Sequence, residues 1–405
     1  MDITTQTDFD ILIVGAGLVG ASVACAVAAG NREGQALRIG VVEAGDKSVS
    51  YQGESFDPRV VALSGASQRF LDRFGAWEEI VGARLCPYTG MRVWDSEGTA
   101  EIHFDCREVR QPCLGYIVEN SVAVNAIRRC MTRFSNIQLL CPARVVGLQR
   151  RAEVFAVELG EGRTVSAHLL IAADGADSKL RSLAEFKTRE WDYGHKAIVT
   201  TVRTEKSHDF VARQCFFSHG PLAFLPLITD TGDSHYCSIV WSLEHPLAQK
   251  LMALGDGDFC ARLSLAFEHC LGEITTCAER FCLPLRQRHA ISYVQAGIAL
   301  VGDAAHTIHP LAGQGVNLGF LDAEALVEEI QRALLRQLPL SEYSILRRYQ
   351  RRRMGDNLGM MGAMESFKRM FGSRDPFVRW LRNTGMRELD KLPLLKNIAV
   401  KKAIG

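Results

Sequence analysis

The beginning of the sequence lacks a long apolar run. Its first apolar stretch, residues 11–14, has four residues, whereas a helix that crosses a bilayer needs about 20. Asp8 and Asp10 stand before this stretch, in place of the basic residues that open an export signal. We therefore expect a cytoplasmic protein.

Spacings typical of metal sites and hydrolases are also missing. The 12 cysteines are scattered, and Cys277 and Cys282 have neither the two-residue spacing nor the companion histidines of a zinc site. Such cysteines in a reducing compartment are usually small core residues. GxSxG and HExxH do not occur. We therefore expect no metal, no disulfide bond and no side-chain nucleophile.

Charge of one sign is not in excess over the whole chain, but it is at the end. The sequence has 47 Lys or Arg against 46 Asp or Glu. With 47% hydrophobic residues, its 405 residues can form a large core in two or three lobes. From Arg347 onward there are 15 basic and 5 acidic residues, so this segment is suited to an acidic surface.

A glycine-rich turn lies between a predicted strand and a predicted helix. Residues 9–14 are followed by Gly15, Gly17 and Gly20, by small residues at 21–29, and by an apolar run at 39–42 that ends in Glu43. A dinucleotide-binding βαβ unit requires this order, because the glycines permit a tight turn, the approach of a pyrophosphate and close helix packing. Glu43 would accept hydrogen bonds from ribose hydroxyls. An ordinary strand-to-helix turn is the alternative.

Two later segments also place an aspartate beside a glycine after a predicted strand. Residues 169–173 lead into Asp174 and Gly175, and residues 298–301 lead into Gly302 and Asp303. Either segment alone is typical of a solvated turn. Both together, downstream of the glycine turn, are more specific and favour FAD over NAD.

In this order the three segments resemble the fingerprints of the single-component flavin aromatic hydroxylases of the para-hydroxybenzoate hydroxylase type. The resemblance implies that Asp303 binds the ribityl chain of FAD. It also implies that Asp174 and Gly175 help to bind FAD and the reduced nicotinamide, with Arg181 as a neighbour. NAD(P)H is then the expected electron donor, directly or through a reductase.

The run HPLAGQGVNLGFLD, at residues 309–322, resembles a characteristic run of the ubiquinone-biosynthesis hydroxylases, a branch of that family. The matching positions are His309, Pro310, Gly313, Gln314, Gly315, Asn317, Gly319 and Asp322. A helix that begins here would direct backbone N–H groups toward the negative charge of a reduced flavin. Gly313 and Gly315 would leave room for the isoalloxazine ring. A plain helix start after Pro310 is the alternative.

One cofactor site is predicted from these segments. Its candidates are Gly15, Gly17, Gly20, Glu43, Arg59, Asp174, Gly175, Gly302, Asp303, Pro310, Gly313, Gln314, Gly315 and Asn317. Arg59 is included because the family carries an arginine near the flavin at this place; a surface ion pair is the alternative. No catalytic residue is assigned. His306 and His309 are candidates to hydrogen-bond the substrate or the flavin, or else to fix the Asp303 loop.

The fold class that we predict is α/β, and α+β overall, with a Rossmann-like FAD-binding domain. We place this discontinuous domain at residues 1–77, 104–185 and 286–345. A β-sheet substrate domain takes residues 78–103 and 186–285, where strand-like runs alternate. In it Phe217, Phe224, Leu225 and Pro226 are predicted to form an apolar wall for the substrate.

Residues 346–405 are predicted to form a helical C-terminal region. Basic residues alternate there with Met360, Met361, Met364, Phe367 and Met370. Such a segment can rest on an anionic membrane surface, dock on a partner enzyme, or pack on its own body. We expect no nucleic-acid partner, because the segment matches no nucleic-acid-binding fold. Peripheral contact with the inner membrane and a homo-oligomer stay open.

The resemblance implies an FAD-dependent monooxygenase that hydroxylates the ring of a polyprenylated phenol or quinol in ubiquinone synthesis. The enzyme would use O2, through a flavin C4a-hydroperoxide. It would hydroxylate the ring at C5 or C6, and C1 remains an alternative. Two alternatives remain at this stage: a hydroxylase of a soluble aromatic catabolite, which would need a cation for the carboxylate, and a non-catalytic flavin-binding subunit of a quinone-synthesis complex.

Overall fold

The structure is a computed structural model that describes residues 7–30, 37–45, 49–98, 100–308 and 315–372, with residues 375, 383–385, 388 and 397. The predicted site residues His309, Pro310, Gly313 and Gln314 lie outside the described residues. Among the described helices, none has the length and apolar character needed to cross a bilayer.

Helices and strands occur in similar measure. The described α-helices are α1 (Leu18–Ala29), α2 (Gly65–Asp72), α3 (Ala76–Val81), α4 (Asn120–Met131), α5 (Lys179–Leu183), α6 (His245–Met252), α7 (Asp256–Ala266), α8 (Gly315–Leu335) and α9 (Tyr343–Gly372). The described strands are β1 (Phe9–Val14), β2 (Ile39–Val42), β3 (Val60–Leu63), β4 (Cys86–Tyr88), β5 (Gly90–Asp95), β6 (Glu101–Asp105), β7 (Gly115–Glu119), β8 (Ile137–Leu140), β9 (Val145–Arg151), β10 (Val154–Leu159), β11 (Thr164–Ala172), β12 (Thr188–Thr204), β13 (Val211–Phe217), β14 (Gly220–Leu227), β15 (Tyr236–Glu244), β16 (Ile274–Cys277), β17 (Phe281–Ala290), β18 (Val294–Gln295), β19 (Ile298–Leu300) and β20 (His306–Thr307).

The first sheet has a parallel centre. Its strand order is β18-β19-β11-β1-β2-β8, and β10 and β9 extend it in antiparallel pairing from β11. From β19 to β8 all neighbours are parallel. Parallel strands are covered on both faces, which is why residues 11–14 of β1 and all of β2 are without a polar side chain. With α1, α4 and α8 they form the largest hydrophobic cluster.

Helix α1 crosses α8 at close range. Most of α1 is buried, and it consists largely of alanine, glycine and serine. A Cβ built on Gly319 in α8 would lie 2.7 Å from Cγ2 of Val19 in α1. The small residues are thus required on both helices, because a larger side chain at the crossing would separate them.

The second sheet has the strand order β20-β17-β12-β15-β14-β13-β5-β6, with β16 beside β12. Its neighbours are antiparallel except for β13 and β5. A third sheet, β3-β7-β4, lies against it. The predicted fold class, α/β and α+β overall, is confirmed. The predicted domain boundaries stay a prediction.

Opposite faces of the second sheet bury different residues, as the two-residue period of a strand requires. On one face, Phe224 packs with Phe259 and Phe267 of the α7 region. On the other face, Leu225 packs with Ile117 of the third sheet and with Phe56. We call this second face, which is directed at the third sheet, the inner face.

Helix α9 connects the two large sheets. Its first half packs on α8, where Tyr349 is fully buried. Its second half reaches β13, where the Phe371 ring stacks on Phe216 with 4.0 Å between ring centroids. Met361 packs with Ile308 in a separate cluster. In the described part of the C-terminal region, Tyr349, Met361 and Phe371 therefore pack on the protein's own body, whereas Leu358 is exposed.

The position of Phe224 on the face that packs against Phe267 predicts that its loss destabilises the protein. Phe224→Ala should lower the free energy of unfolding by about 3–5 kcal/mol, because a cavity would replace a fully buried ring. That ring stacks on Phe267 with 3.5 Å between centroids. Urea denaturation measures the change. Leu283→Ala is the control: this side chain is 45% exposed, so its loss should change stability by about 0.5 kcal/mol or less. Equal losses would contradict the assignment.

Candidate active site

The segments that the sequence singled out lie side by side at one edge of the first sheet. In its register, Val42, Val14, Ala172 and Leu300 form one row across β2, β1, β11 and β19. Because these strands are parallel, the residues after them emerge at the same edge, where open α/β sheets bind ligands. The glycine turn, the acid after β2 and both aspartate-glycine segments are thereby brought together.

The three glycines of the first turn meet different surroundings. Gly15 has a φ of +103°, and a Cβ built there would lie 2.4 Å from the carbonyl oxygen of Ala173. A Cβ on Gly20 would lie 2.0 Å from the carbonyl oxygen of Gly15. A Cβ on Gly17 would meet no described atom within 4 Å. Gly15 and Gly20 are thus needed by the fold itself, whereas Gly17 borders open space.

The N-terminus of α1 begins at this open space. The N-cap is Gly17, and no side chain of the described residues caps the helix. The first N–H groups of a helix have no intrahelical acceptor and carry partial positive charge. This end of α1 can therefore bind a pyrophosphate, as the sequence predicted.

Glu43 lies directly beside the glycine turn. Its Oε2 accepts a hydrogen bond of 2.7 Å from the backbone N–H of Ala16, and its Oε1 accepts one of 2.9 Å from Gly45. Arg128 in α4 lies 3.3 Å from Oε2 of Glu43 and donates from Nε to the carbonyl oxygen of Ala16 at 3.0 Å. The carboxylate is held at the end of β2, and its predicted contact with ribose stays a prediction.

The Asp174 carboxylate stabilises the start of α5. It accepts hydrogen bonds from Ser178 Oγ at 2.5 Å, from the backbone N–H of Lys179 at 2.7 Å and from that of Leu180 at 3.2 Å. Gly175 follows with a φ of +81°, and a Cβ there would meet no described atom within 4 Å. A direct contact of this segment with FAD would thus come from its backbone more readily than from the carboxylate.

Arg181 connects the two aspartate-glycine segments. The guanidinium donates to the carbonyl oxygen of Ala176 at 2.7 Å and to that of Ala304 at 2.9 Å. Burial lowers its pKa, and Arg288 adds to the effect. In this position Arg181 fixes the relative geometry of the segments and is itself covered by protein.

The turn at Gly302–Ala304 presents Asp303. Gly302 has a φ of +57°, where a larger residue would be strained. The neighbours Gly302 and Ala304 are buried, whereas the Asp303 side chain is exposed. Surrounding protein nevertheless raises the pKa of the Asp303 carboxyl by desolvation. An accessible but enclosed carboxylate lines a recess, which suits contact with a bound ribityl chain.

His306 is in the core and not in this recess. Its ring is 1% exposed, and Nε2 lies 2.5 Å from Oδ2 of Asp322, which is 0% exposed. This arrangement agrees with the structural alternative for His306, in which it fixes the Asp303 loop. Its catalytic role stays untested, and His309 lies outside the described residues.

Asn317 ties the start of α8 to the β3–α2 connection. Its Oδ1 accepts hydrogen bonds from the backbone N–H of Ser64 at 3.0 Å and from Ser67 Oγ at 2.6 Å, while its Nδ2 donates to Ala62 at 2.7 Å. Gly315 is the first residue of α8. The Asn317 amide therefore positions the helix start that is predicted to face the flavin.

Arg59 belongs to a loop that is anchored by buried charges. Its backbone N–H donates to Asp57 Oδ1 at 2.9 Å, and the Asp57 N–H donates to Glu119 at 2.7 Å. Arg84 donates to Glu119 at 2.7 Å and to Gly53 at 2.9 Å. Burial raises the pKa of the Glu119 carboxyl above its usual value, and the hydrogen bond from Arg84 offsets only part of this rise. The Arg59 side chain is exposed and has no ion pair among the described residues, so it is free to meet a ligand.

The predicted apolar wall is divided between two faces of the second sheet. Leu225 lies on the inner face, whereas Phe224 lies on the opposite face against Phe267. By strand alternation Pro226 shares the face of Phe224. Phe217 also belongs to the cluster on that face and stacks on His219. Of the four residues, Leu225 is therefore the one whose side chain lies on the inner face.

The sequence reasoning missed two arginines that hold the site. Arg128 binds Glu43, and Arg84 binds the Arg59 loop through Glu119. Both act over long separations in the chain, on partners that no local motif identifies. Arg128 is half-buried on α4, and Arg84 lies in the connection between α3 and β4, so no local pattern in the sequence names the partner of either.

The residues that are described fit FAD. Open space at Gly17, the uncapped start of α1 and the enclosed carboxylate of Asp303 lie at one edge. They match a pyrophosphate between an adenosine and a ribityl chain.

The different surroundings of the glycines predict separable effects. Gly17→Ala should keep the thermal unfolding temperature of the FAD-free protein near the wild-type value, because the methyl group enters open space. It should weaken FAD binding about tenfold or more, a loss of about 1.4 kcal/mol or more. Gly20→Ala is the comparison and should lower the unfolding temperature itself. Calorimetry and FAD titration measure both, and unchanged FAD affinity in Gly17→Ala would contradict the site.

Comparison with known proteins identifies relatives over the whole chain. A family model described as an FAD binding domain matches residues 8–355. The chain is 35% identical over 401 residues to 3-demethoxyubiquinol 3-hydroxylase of Escherichia coli (strain K12). The matched region covers 99% of this chain and 100% of that protein. It is 34% identical to ubiquinone hydroxylase UbiL of Rhodospirillum rubrum, covering 98% and 89%. It is 31% identical to the mitochondrial ubiquinone biosynthesis monooxygenase COQ6 of Xenopus tropicalis, covering 96% and 91%.

Solved structures share the fold. The p-nitrophenol 4-monooxygenase PnpA from Pseudomonas putida DLL-E4 superposes with a TM-score of 0.76 at 19% identity, covering 99% of both chains. PqsL from P. aeruginosa, in complex with 2-aminobenzoylacetate, superposes with a TM-score of 0.75 at 22% identity, covering 91% of this chain and 98% of that chain.

The family model and the full-length relatives confirm the resemblance drawn from the sequence and the FAD cofactor. The chain belongs to the FAD-dependent monooxygenases, and within them to the family of ubiquinone-biosynthesis hydroxylases.

Proposed function

We propose that this protein hydroxylates the aromatic ring of a polyprenylated intermediate of ubiquinone biosynthesis, with O2 as co-substrate. The observation that carries the proposal is the full-length identity of 35% to a demethoxyubiquinol hydroxylase, with coverage of 99% of this chain and 100% of that protein. The meeting of the glycine turn, Glu43 and both aspartate-glycine segments at one sheet edge supports it.

The chain's own residues bind and orient the reactants. The start of α1 and Gly17 would hold the pyrophosphate, and Asp303 of the Gly302–Ala304 turn would bind the ribityl chain. The start of α8, positioned by Asn317, would direct N–H groups to the flavin ring. When bound and reduced, FAD supplies the electrons and the oxygen transfer, so that no protein nucleophile is required.

The inner face of the second sheet supplies an apolar cover. Ala197, Val199 and Leu285 form a buried cluster there, with Val240 packed against it. An apolar cover excludes water from the reacting ring and accommodates a lipid-tailed substrate better than an aromatic acid, whose carboxylate would need a cationic partner. We therefore favour the polyprenylated ring over the soluble catabolite.

Ring position and electron donor belong to the same proposal. We favour C5 or C6, because the middle segments of the chain, such as residues 90–95, resemble the branch that hydroxylates C5, whereas residues 348–354 and the tail resemble the C6 branch. NAD(P)H is proposed to reduce the flavin, either directly or through a reductase.

Deletion of the gene in aerobically grown cells tests the function. We expect a quinone-pathway lipid that is one ring hydroxyl short to accumulate, and its structure, from mass spectrometry, gives the carbon. Wild-type chain should restore the quinone, whereas the Gly17→Ala variant should restore less. Normal quinone without an intermediate, in cells that have no second hydroxylase, would refute the proposal.

The same lipid tests the alternative of a non-catalytic subunit. The purified FAD-loaded protein, supplied with reductant, should consume O2 faster when the accumulated intermediate is added, and the hydroxylated ring should appear in equal amount. Binding of FAD without substrate-dependent O2 consumption would favour the non-catalytic subunit.

The basic C-terminal region is proposed to hold the protein at an anionic membrane surface, where its substrate resides. Arg347 and Arg351 on α9 are exposed, whereas the methionines described on α9 are at least partly buried. This favours electrostatic contact over insertion of the apolar face. Docking on another quinone-synthesis enzyme and a homo-oligomer are the alternatives.

Vesicle co-sedimentation checks the membrane contact. The protein should bind phosphatidylglycerol vesicles at low salt and be released at 1 M salt, because the Debye length falls from about 10 Å at 0.1 M to about 3 Å. Substitution of Arg347 and Arg351 by Ser should weaken binding. Substitution of Arg150 and Arg151, exposed on β9, is the matched control. Equal effects of both pairs would contradict a specific surface.

A further inference from the structure

Asp322 in α8 is the centre of a fully buried polar cluster. Its side chain is 0% exposed. Oδ1 accepts hydrogen bonds from Arg353 Nε at 2.9 Å and from Asn357 Nδ2 at 3.1 Å, both on α9. Oδ2 lies 2.5 Å from His306 Nε2 and accepts a hydrogen bond of 3.2 Å from the backbone N–H of Gly302. Both carboxylate oxygens are therefore fully used, and each faces a different part of the chain.

The two contacts of Oδ2 fix both ends of the turn that carries Asp303. Gly302 begins the turn, and His306 begins the next strand, β20. Arg181 holds the same turn from the other side, through the carbonyl oxygen of Ala304 at 2.9 Å. Asp303 is the one exposed side chain between these fixed points. Its direction is thus determined by buried neighbours.

Helix α9 reaches the same strand end a second time. One turn before Arg353, the Tyr349 hydroxyl donates to the carbonyl oxygen of Leu300 at 2.7 Å. Leu300 is the last residue of β19, two residues before Gly302. Helix α9 therefore contacts the backbone just before the turn directly, through Tyr349. It reaches Gly302, the first residue of the turn, indirectly, through Arg353 and Asp322.

A charged cluster is a costly way to fill this space. Buried ion pairs often stabilise a fold no more than apolar residues of equal size, because both charges lose their hydration. Unlike apolar packing, hydrogen-bonded ion pairs fix the orientation of the groups that they join, because each hydrogen bond requires a defined angle. A role in orientation accounts for the cluster better than a role in stability alone.

We propose that Asp322 and Arg353 are positioning residues for FAD: they hold the Gly302–Ala304 turn in the conformation that directs Asp303 at the ribityl chain. Arg353 neutralises and orients the Asp322 carboxylate, and Asp322 then binds Gly302 and His306. The inference rests on the proposed role of Asp303 in FAD binding. It does not depend on which ring the enzyme hydroxylates.

The chain offers a matched control on the same two helices. Glu329 lies two turns after Asp322 on α8 and is 1% exposed. Its described partners are Arg332 at 2.9 Å and Arg352 of α9 at 3.3 Å. Glu329→Gln thus removes a buried carboxylate between α8 and α9 as Asp322→Asn does, but at a place remote from the turn.

The experiment compares FAD affinity and ADP affinity in the full-length protein after removal of FAD. Asp322→Asn and Arg353→Met should each weaken FAD binding about tenfold or more, as neighbours of ligand-contacting groups commonly do. Glu329→Gln should change it about twofold or less. ADP lacks the ribityl chain and binds at the start of α1, so its affinity should remain within about twofold in all variants. Fluorescence titration and competition give both constants.

Further outcomes separate positioning from folding. The double variant Asp322→Asn/Arg353→Met should weaken FAD binding little more than either single variant, because the two residues act as one unit. Arg353→Lys retains the charge but not the planar fork, and should fall between wild type and Arg353→Met. It also serves as the test if the other variants do not fold.

Two results would overturn the proposal. One is that Asp322→Asn and Glu329→Gln lose FAD affinity equally; the other is that FAD and ADP affinity fall together. Either would show a general effect of α8–α9 packing. Failure of the proposed hydroxylation is recognised separately, because it would leave the FAD affinities of all variants as predicted while substrate-dependent O2 consumption is absent.

Discussion

The register of four parallel strands is the constraint on which the rest of this structure depends. Val42, Val14, Ala172 and Leu300 stand in one row, so that segments separated by more than 250 positions emerge side by side. A shift of one residue in any strand would turn its side chains to the other face and displace the segment that follows. The cofactor site is therefore a property of the sheet rather than of any single motif.

Close approach of backbones is the second constraint, and it explains why the same few glycines serve fold and site together. Gly20 lets α1 start against the Gly15 turn, and Gly319 lets α8 cross α1 beside Gly302. A side chain at either place would separate the elements whose ends form the recess. Gly17 differs, because the space beside it is left for a ligand.

Much of this arrangement could be predicted from the sequence, because it depends on patterns of residues that are close together in the chain. Strand runs, glycine spacing and acids after strands identified the βαβ unit and the row of segments, and family resemblance supplied the cofactor. The partners of buried charges could not be predicted in this way. Arg353 is one of three consecutive arginines, and only the three-dimensional structure separates it from exposed Arg351. The division of the predicted apolar wall between two faces could not be predicted for a related reason: residues 224–227 are all apolar and all buried, so composition gave no sign of the alternation between faces.

These buried charges give the C-terminal helix a place in the architecture of the site. In the first half of α9, Arg353 reaches the turn at Gly302 through Asp322, and near the C-terminal end of α9 Phe371 stacks on Phe216 of the second sheet. One helix thus contacts both large sheets, at β18 of the first and at β13 and β14 of the second. The basic surface of α9 therefore lies on an element that also helps to build the site.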